Sequence, residues 1–390
     1  MVPTPPTPQP ILAGTPGSFA RAVFHERHPK LIARVLDALP YTPVQRAALE
    51  ALLAESIAGE MRPLSENTAD RGRWLGWGAE HYGKPWGAAP FLWAESFFYR
   101  RLLEATGYHR PGPWRGIDPF APFKTAELHG TTVTGQLDTL DRLDAVDPRD
   151  QLLLACLWGN RADLGFRLTA TESESSEALL IDDSARLWSM LAGAKAPRLD
   201  VIADNAAGEL LPDLILIDHL LTTGIAAEVR VWVKPAPYFV SDATTADVLA
   251  TLALLRGAPS PAATGLAARL ADHIGTARLI IDTHEFFCAP LPFAEMPDDL
   301  ARQLAGARVT VLKGDLNYRR LVGDRHWPAT TPFAETTGAF PTAVVALRTL
   351  KSDVVVGLTA EQEHTLDTND PGWRTSGTHA LISAAPGNRG

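Results

Sequence analysis

The chain has 390 residues, 46% of them hydrophobic and 21% charged, a globular composition with length for one large domain or two modest ones. Its net charge of -9 excludes a general nucleic-acid binder, which needs clustered Lys and Arg to hold a phosphate backbone. Two cysteines, Cys156 and Cys288, exclude a disulfide framework or a cysteine-rich zinc site and fit a reducing compartment.

The N-terminal stretch is Pro-rich and lacks the basic segment and apolar run of a secretory signal, so residues 1–17 read as a flexible leader. No apolar run approaches the roughly 20 residues that span a bilayer, and a cytoplasmic protein with no membrane, nucleic-acid or obligate protein partner is expected. Three segments then carry apolar residues at helical spacing: FARAVFHERHPKLIARVLDAL, PVQRAALEALLAESIAGEM and PFLWAESFFYRRLLEATGY. They define a helical N-terminal subdomain over residues 18–125. Its aromatic clusters, RWLGWG and KPWGAAPFLW, read as packing surface before a ligand stack, and His25 and His28 lie on an amphipathic helix.

After a Pro-rich crossing the signal changes to strands alternating with helices over residues 126–384. The candidate strands are RLDVIADN, AAEVRVWV, ARLIID, ARVTVL and SDVVVGL, with apolar, β-branched centres suited to burial on both faces. DQLLLACLWGNRADLGFRL, ELLPDLILIDHLLTTG and TADVLATLALLRG read as helices. The alternation predicts an α/β three-layer sandwich around a mostly parallel, Rossmann-like sheet.

In such a sheet ligands bind outside the carboxyl ends of the strands, which selects the residues after each apolar run. Asp204-Asn205 follows LDVIA, with Glu209 opening the next helix; the pair offers hard oxygen ligands or a plain helix cap. Lys234 follows VRVWV and leads to Asp242, a second carboxylate able to complete an oxygen cage for Mg²⁺ or Mn²⁺ with Asp204 and Asn205, or only another cap. Asp315, Leu316, Asn317, Tyr318 and Arg319 follow VTVLKG, a variety of groups greater than a charged turn requires. Arg348 and Lys351 lie between TAVVAL and DVVVGL, where two cations need a carboxylate or a phosphate. Seven lysines stand against 29 arginines, so Lys234, Lys313 and Lys351 mark places that favour a compact charge. His284-Glu285 begins no His-Glu-x-x-His motif and His379 sits in a turn. Neither a P-loop nor a G-x-S-x-G elbow occurs.

LWGNRADL, ADNAAGEL, KPAPYFVSDAT, KGDLNYRRL and RTLKSDVVVGL together resemble the damage-control phosphatase family, first catalogued as a domain of unknown function. The likeness is to its sugar-phosphate branch, also described as acidic-residue methyltransferase-like. It covers most of the chain, including APFLWAESFFYRRL. It implies a divalent metal, Mn²⁺ or Mg²⁺ with Co²⁺ or Ni²⁺ as alternatives, held by Asp204, Asn205 and Asp242. It further implies substrate contacts through Asp315 to Arg319 and through Lys351 of an Arg-Thr-x-Lys motif.

The expected activity is hydrolysis of small phosphorylated metabolites such as fructose 1-phosphate or fructose 6-phosphate, with Asp204 and Asp315 as catalytic residues. Asn205, Glu209 and Arg348 join the substrate contacts, and Arg319 and Lys351 hold phosphoryl oxygens. The nucleophile is either a water or the Asp204 carboxylate, and Asp315 is the acid or base. Two rivals are an S-adenosylmethionine-dependent protein carboxyl methyltransferase, for which no Gly-rich strand-to-helix loop is evident, and a non-catalytic phosphometabolite-binding protein.

Overall fold

A computed structural model of the chain describes residues 7–140, 148–159, 178–193 and 195–387. Seven strands, β1 (Leu179–Asp182), β2 (Arg198–Ile202), β3 (Glu228–Val233), β4 (Leu279–Thr283), β5 (Val309–Lys313), β6 (Ala343–Thr349) and β7 (Ala380–Ala385), form one sheet in the order β1-β7-β6-β5-β2-β3-β4. Every pairing is parallel except β6 with β7. The architecture is the expected α/β sandwich. From β2 the chain moves outward to β3 and β4, then returns to the other side of β2 as β5. The order thus reverses between β2 and β5, which opens a crevice beyond their carboxyl ends.

Alternation along the central strands feeds two cores, since successive side chains point to opposite faces. Leu199, Val201, Val229, Val231, Val309, Val311 and Val345 face one. Ile202, Trp232, Leu312, Val344 and Ala346 face the other, which is continuous with the N-terminal helices. Those helices are α1 (His28–Ala38), α2 (Pro43–Ala58) and α3 (Phe91–Thr106), with a short helix and a π-helical turn (Val23–Arg27) leading into α1. Pro43 and the Thr42/Gln45 capping box start α2. Gly107, at φ +84°, ends α3 in the left-handed conformation. Trp74, Trp86 and Trp93 are buried against Phe97, so the aromatic clusters are core.

Toward the C-terminal half run α4 (Arg149–Trp158), α5 (Leu210–Thr222), α6 (Thr245–Gly257), α7 (Pro261–Gly275) and α8 (Gly314–Val322). The segment from Asp150 to Leu168 reads in sequence as one helix; its residues 160–168, and with them most of the LWGNRADL motif, lie outside the described residues. One strand expectation is corrected: SDVVVGL is not a strand. The chain turns back at Leu350 because Arg348, inside β6, donates to the carbonyls of Ser352 (3.1 Å) and Val354. Val354, Val355 and Val356 are buried by that loop without joining the ladder. The seventh position is filled by ALISAA, pairing antiparallel with β6.

Candidate active site

The loops after β2 and β3 are zipped together by backbone bonds: Ala243 N–H donates to Asp204 O (2.8 Å), Ala206 N–H to Ser241 O (2.7 Å) and Lys234 N–H to Ala243 O (2.9 Å). A bridge pairs Asn205 with Asp242. These bonds set Asp204, Asn205 and Asp242 side by side at the switch crevice, with both carboxylates buried. Gly314, opening α8 after β5, closes the third side. A Cβ there would lie 1.7 Å from Asp204 Oδ2, so only glycine leaves room for this carboxylate.

The electrostatics suit a cation. Burial, reinforced by the Glu209 and Asp242 carboxylates, pushes the Asp204 carboxyl well above its ordinary range against the pull of Lys234 and Lys351. Burial likewise raises Asp242, opposed by Lys234 and by the Phe239 N–H that donates to Oδ2 at 3.0 Å. Asn205 donates its amide N–H to Asp204 (3.2 Å), which leaves its carbonyl oxygen for a ligand. Two carboxylates and one amide oxygen form the hard donor set that Mg²⁺ or Mn²⁺ takes while keeping open positions. Among the described residues no group of three or more His, Cys, Asp or Glu is arranged to hold a metal; this set has two acids and an amide, so it falls outside that pattern. The residues fit a divalent metal.

Asp204, Asn205, Asp242, Asp315, Leu316, Arg319 and Lys351 line one cavity of about 430 Å³, within the usual range of small-molecule sites. Asp315 Oδ1 accepts from Arg348 Nε (2.9 Å), Ser352 Oγ (3.0 Å) and the Lys351 N–H (3.1 Å). Burial raises the Asp315 carboxyl, but Arg348 and Arg319 outweigh it and hold the group below its ordinary range. A carboxyl held ionised in this way is a poor proton donor. Lys351, half-exposed, stands 3.7 Å from Glu209.

Four of the expected site residues do not line the cavity. The segment after β5 is a helix, and at 3.6 residues per turn Asp315, Leu316 and Arg319 share the cavity side while Asn317 and Tyr318 turn inward. Asn317 Nδ2 donates to the carbonyls of Ala203 (3.1 Å) and Lys313 (2.8 Å), tying α8 to the end of β2. The Tyr318 hydroxyl accepts from Val356 N–H (3.1 Å), and Arg348 lies fully buried over the Tyr318 ring. Glu209, at the start of α5, reaches the site through Lys351. Arg319 lines the cavity with a committed fork: Nε and one terminal nitrogen donate to Asp324, the other terminal nitrogen to Glu95, and its plane covers Phe91.

Of the three lysines marked by composition, Lys313 is a buried ion pair with Asp213 that holds α5 to β5. Lys234 is buried beside the carboxylates, and among the described residues its Nζ has no hydrogen-bond partner. The sequence reading missed the opposite wall, built by Phe19, Arg27, Lys30, Arg34, Glu95, Tyr99 and Phe239. One signal was present, the buried charged Glu95 within the apolar first two turns of α3, FLWAESFF. Of two other hollows, one of about 450 Å³ lies among the N-terminal helices and one of about 620 Å³ lies between that region and the loops after β3 and β4; their acids Glu104, Asp70 and Glu285 are paired with Arg101, Arg100 and Arg73.

The fold and the crevice define an α/β protein with a small-molecule cavity at the switch point of its sheet, lined by carboxylates and cations. A Pyrococcus horikoshii DUF89 family protein has the same fold, with a TM-score of 0.51 at 17% identity over 92% of this chain and 96% of that one. The model of the damage-control phosphatase ARMT1-like domain matches residues 23–366. The chain is 28% identical to damage-control phosphatase ARMT1 of Danio rerio, over 98% of both chains. It is 30% identical to that of Rattus norvegicus, over 94% of this chain and 96% of the relative. The chain therefore belongs to the damage-control phosphatase family, a family of phosphomonoester hydrolases that implies a divalent metal cofactor. No described helix is long and apolar enough to cross a membrane.

Proposed function

We propose that this protein hydrolyses sugar phosphates, of the kind of fructose 1-phosphate or fructose 6-phosphate, with Mg²⁺ or Mn²⁺ held by Asp204, Asn205 and Asp242. The observation that carries the reading is the pair of buried carboxylates, zipped together at the switch crevice and opening on a cavity that Lys351 also lines. A divalent cation bound there supplies positive charge against the phosphoryl oxygens as the ester bond breaks.

The chain's own groups do the rest. Lys351 holds a phosphoryl oxygen, and Asp315 fixes the loop that carries it by accepting from the Lys351 N–H and from Arg348. Arg319, with three of its five N–H donors on Glu95 and Asp324, positions α8 and offers the substrate at most its remaining two. Lys234 sets a fixed positive charge behind Asp204 and Asp242. Water attacks phosphorus as the P–O bond to the sugar breaks, and one proton of that water ends on the sugar oxygen, so that the free sugar and inorganic phosphate are released. Asp315, ionised and hydrogen-bonded, acts as anchor or proton acceptor, and is ill-suited to be the donor.

The test is inorganic phosphate release from sugar phosphates by protein stripped of metal and resupplied with Mg²⁺, Mn²⁺, Co²⁺ or Ni²⁺. Release that needs metal and disappears in Asp204→Ala and Asp242→Ala supports the assignment. A folded Asp204→Ala variant with near-normal turnover overturns it.

A further inference from the structure

The cavity has a floor and a rim of opposite character. At the floor and just behind it, the cations face acids: Arg319 holds Glu95 and Asp324, Arg348, buried behind the lining, holds Asp315, and Lys351 stands 3.7 Å from Glu209. At the rim, Arg27, Lys30 and Arg34 follow one another at spacings of three and four residues, so they share one face where the π-helical turn runs into α1. All three are exposed and all three line the cavity.

Among the described residues no carboxylate pairs with any of them, although Glu26 and Asp37 are close in sequence. Two are held in place by rings instead. The Arg27 guanidinium carbon lies 4.6 Å from the Phe19 ring centroid, and that of Arg34 lies 4.5 Å from the Phe123 centroid. Such stacking orients a guanidinium while leaving its N–H edge free to meet an anion. Three uncompensated cations across a small cavity from a phosphoryl site form a second place for negative charge.

We infer that Arg27, Lys30 and Arg34 are a second anion subsite, and that the substrates this cavity favours carry another phosphate or a carboxylate besides the phosphate that is hydrolysed. Which phosphate reacts rests on the phosphatase reading; binding at the rim does not. A planar guanidinium presents paired donors to phosphate or carboxylate oxygens, and the Lys30 ammonium adds charge without fixed geometry. The contribution is electrostatic and exposed, so it shrinks as salt rises.

The experiment is calorimetric titration of the full chain in a chelator, where turnover cannot run, with fructose 1,6-bisphosphate and with fructose 1-phosphate as probes. The bisphosphate is expected to bind at least about tenfold more tightly, a step of about 1.4 kcal/mol. The ratio should fall to near one in R27Q/K30Q/R34Q and be reduced by Lys30→Glu alone, a change that disturbs no ring contact. Equal binding of the two probes by the unaltered protein, including no measurable binding of either, overturns the inference, as does an unchanged ratio in the triple variant. Circular dichroism checks that the triple variant folds; if it does not, Lys30→Glu decides. Absence of metal-dependent phosphate release from every sugar phosphate, with the binding ratio intact, sinks the phosphatase reading and leaves the rim subsite standing.

Discussion

Gly314→Ala separates the cost of strain from the cost to the site. Gly314 has φ +82°, a left-handed conformation that costs a residue with a Cβ about 1–2 kcal/mol. The added Cβ would also sit 1.7 Å from Asp204 Oδ2 and 2.2 Å from its Cγ, so the carboxylate must retreat by more than ~1 Å, a displacement able to cost about 10²-fold in rate. Gly323, which caps α8 at φ +88°, is the control, because a Cβ there meets only the Arg325 side chain at 3.7 Å. Gly323→Ala should lose about 1–2 kcal/mol in urea unfolding, and Gly314→Ala that strain plus about 1–3 kcal/mol for the overlap with Asp204. Metal-dependent phosphate release should fall about a hundredfold in kcat/KM for Gly314→Ala alone, while Gly323→Ala keeps turnover close to the parent. Metal affinity, measured by calorimetry, should fall with it. If Gly314→Ala turns over as well as Gly323→Ala, Asp204 is not at the reacting centre.

The remaining predictions concern the framework and the phosphate. His28 is buried and stacked on Phe98 at 3.6 Å, and burial drops its imidazole to about 3. Because the unfolded chain takes up this proton near pH 6.5 and the folded chain does not, stability falls as pH drops below that value, by about 1.4 kcal/mol at pH 5.5. His28→Phe should flatten the stability curve between about pH 5 and 7 by about 2 kcal/mol, and parallel curves for the two proteins would refute the assignment. Arg348→Met strands the Asp315 carboxylate and the carbonyls of Ser352 and Val354; unfolding should show a loss of about 3–5 kcal/mol, and a loss under about 1 kcal/mol is inconsistent with a buried, paired charge. Lys351→Ala, at a half-exposed side chain, should leave the melting temperature near that of the parent while kcat/KM drops about 10²-fold. An unchanged kcat/KM would remove Lys351 from the site.

Much of the architecture was legible because it is written in local chemistry. The apolar, β-branched centres of β2, β3 and β5 are suited to burial on both faces, and alternation with helices makes that sheet parallel. Strand ends then single out Asp204, Asn205, Asp242, Asp315 and Lys351, and the structure brings these into one cavity. The strand misassigned to SDVVVGL shows the limit. Its run of valines has strand propensity, yet Arg348 captures the carbonyls of Ser352 and Val354 and folds the segment back. ALISAA, far along the chain, supplies the seventh strand.

The sequence by itself determined the fold class, the switch-crevice acids and the family, since these depend on residue type and order over short spans. Only the tertiary structure decided which charged groups are spent on one another and which face the cavity. In sequence Arg319 reads as a phosphate ligand and Arg348 as a substrate contact facing either a carboxylate or a phosphate, but their partners Glu95, Asp324 and Asp315 are contributed by other turns and other elements. Conversely, Arg27, Lys30 and Arg34 look like an ordinary solvated helix face until folding sets that face against the ends of β2 and β5. Charge pairing is a property of distance in space, and no local pattern encodes the distance between residue 27 and residue 204.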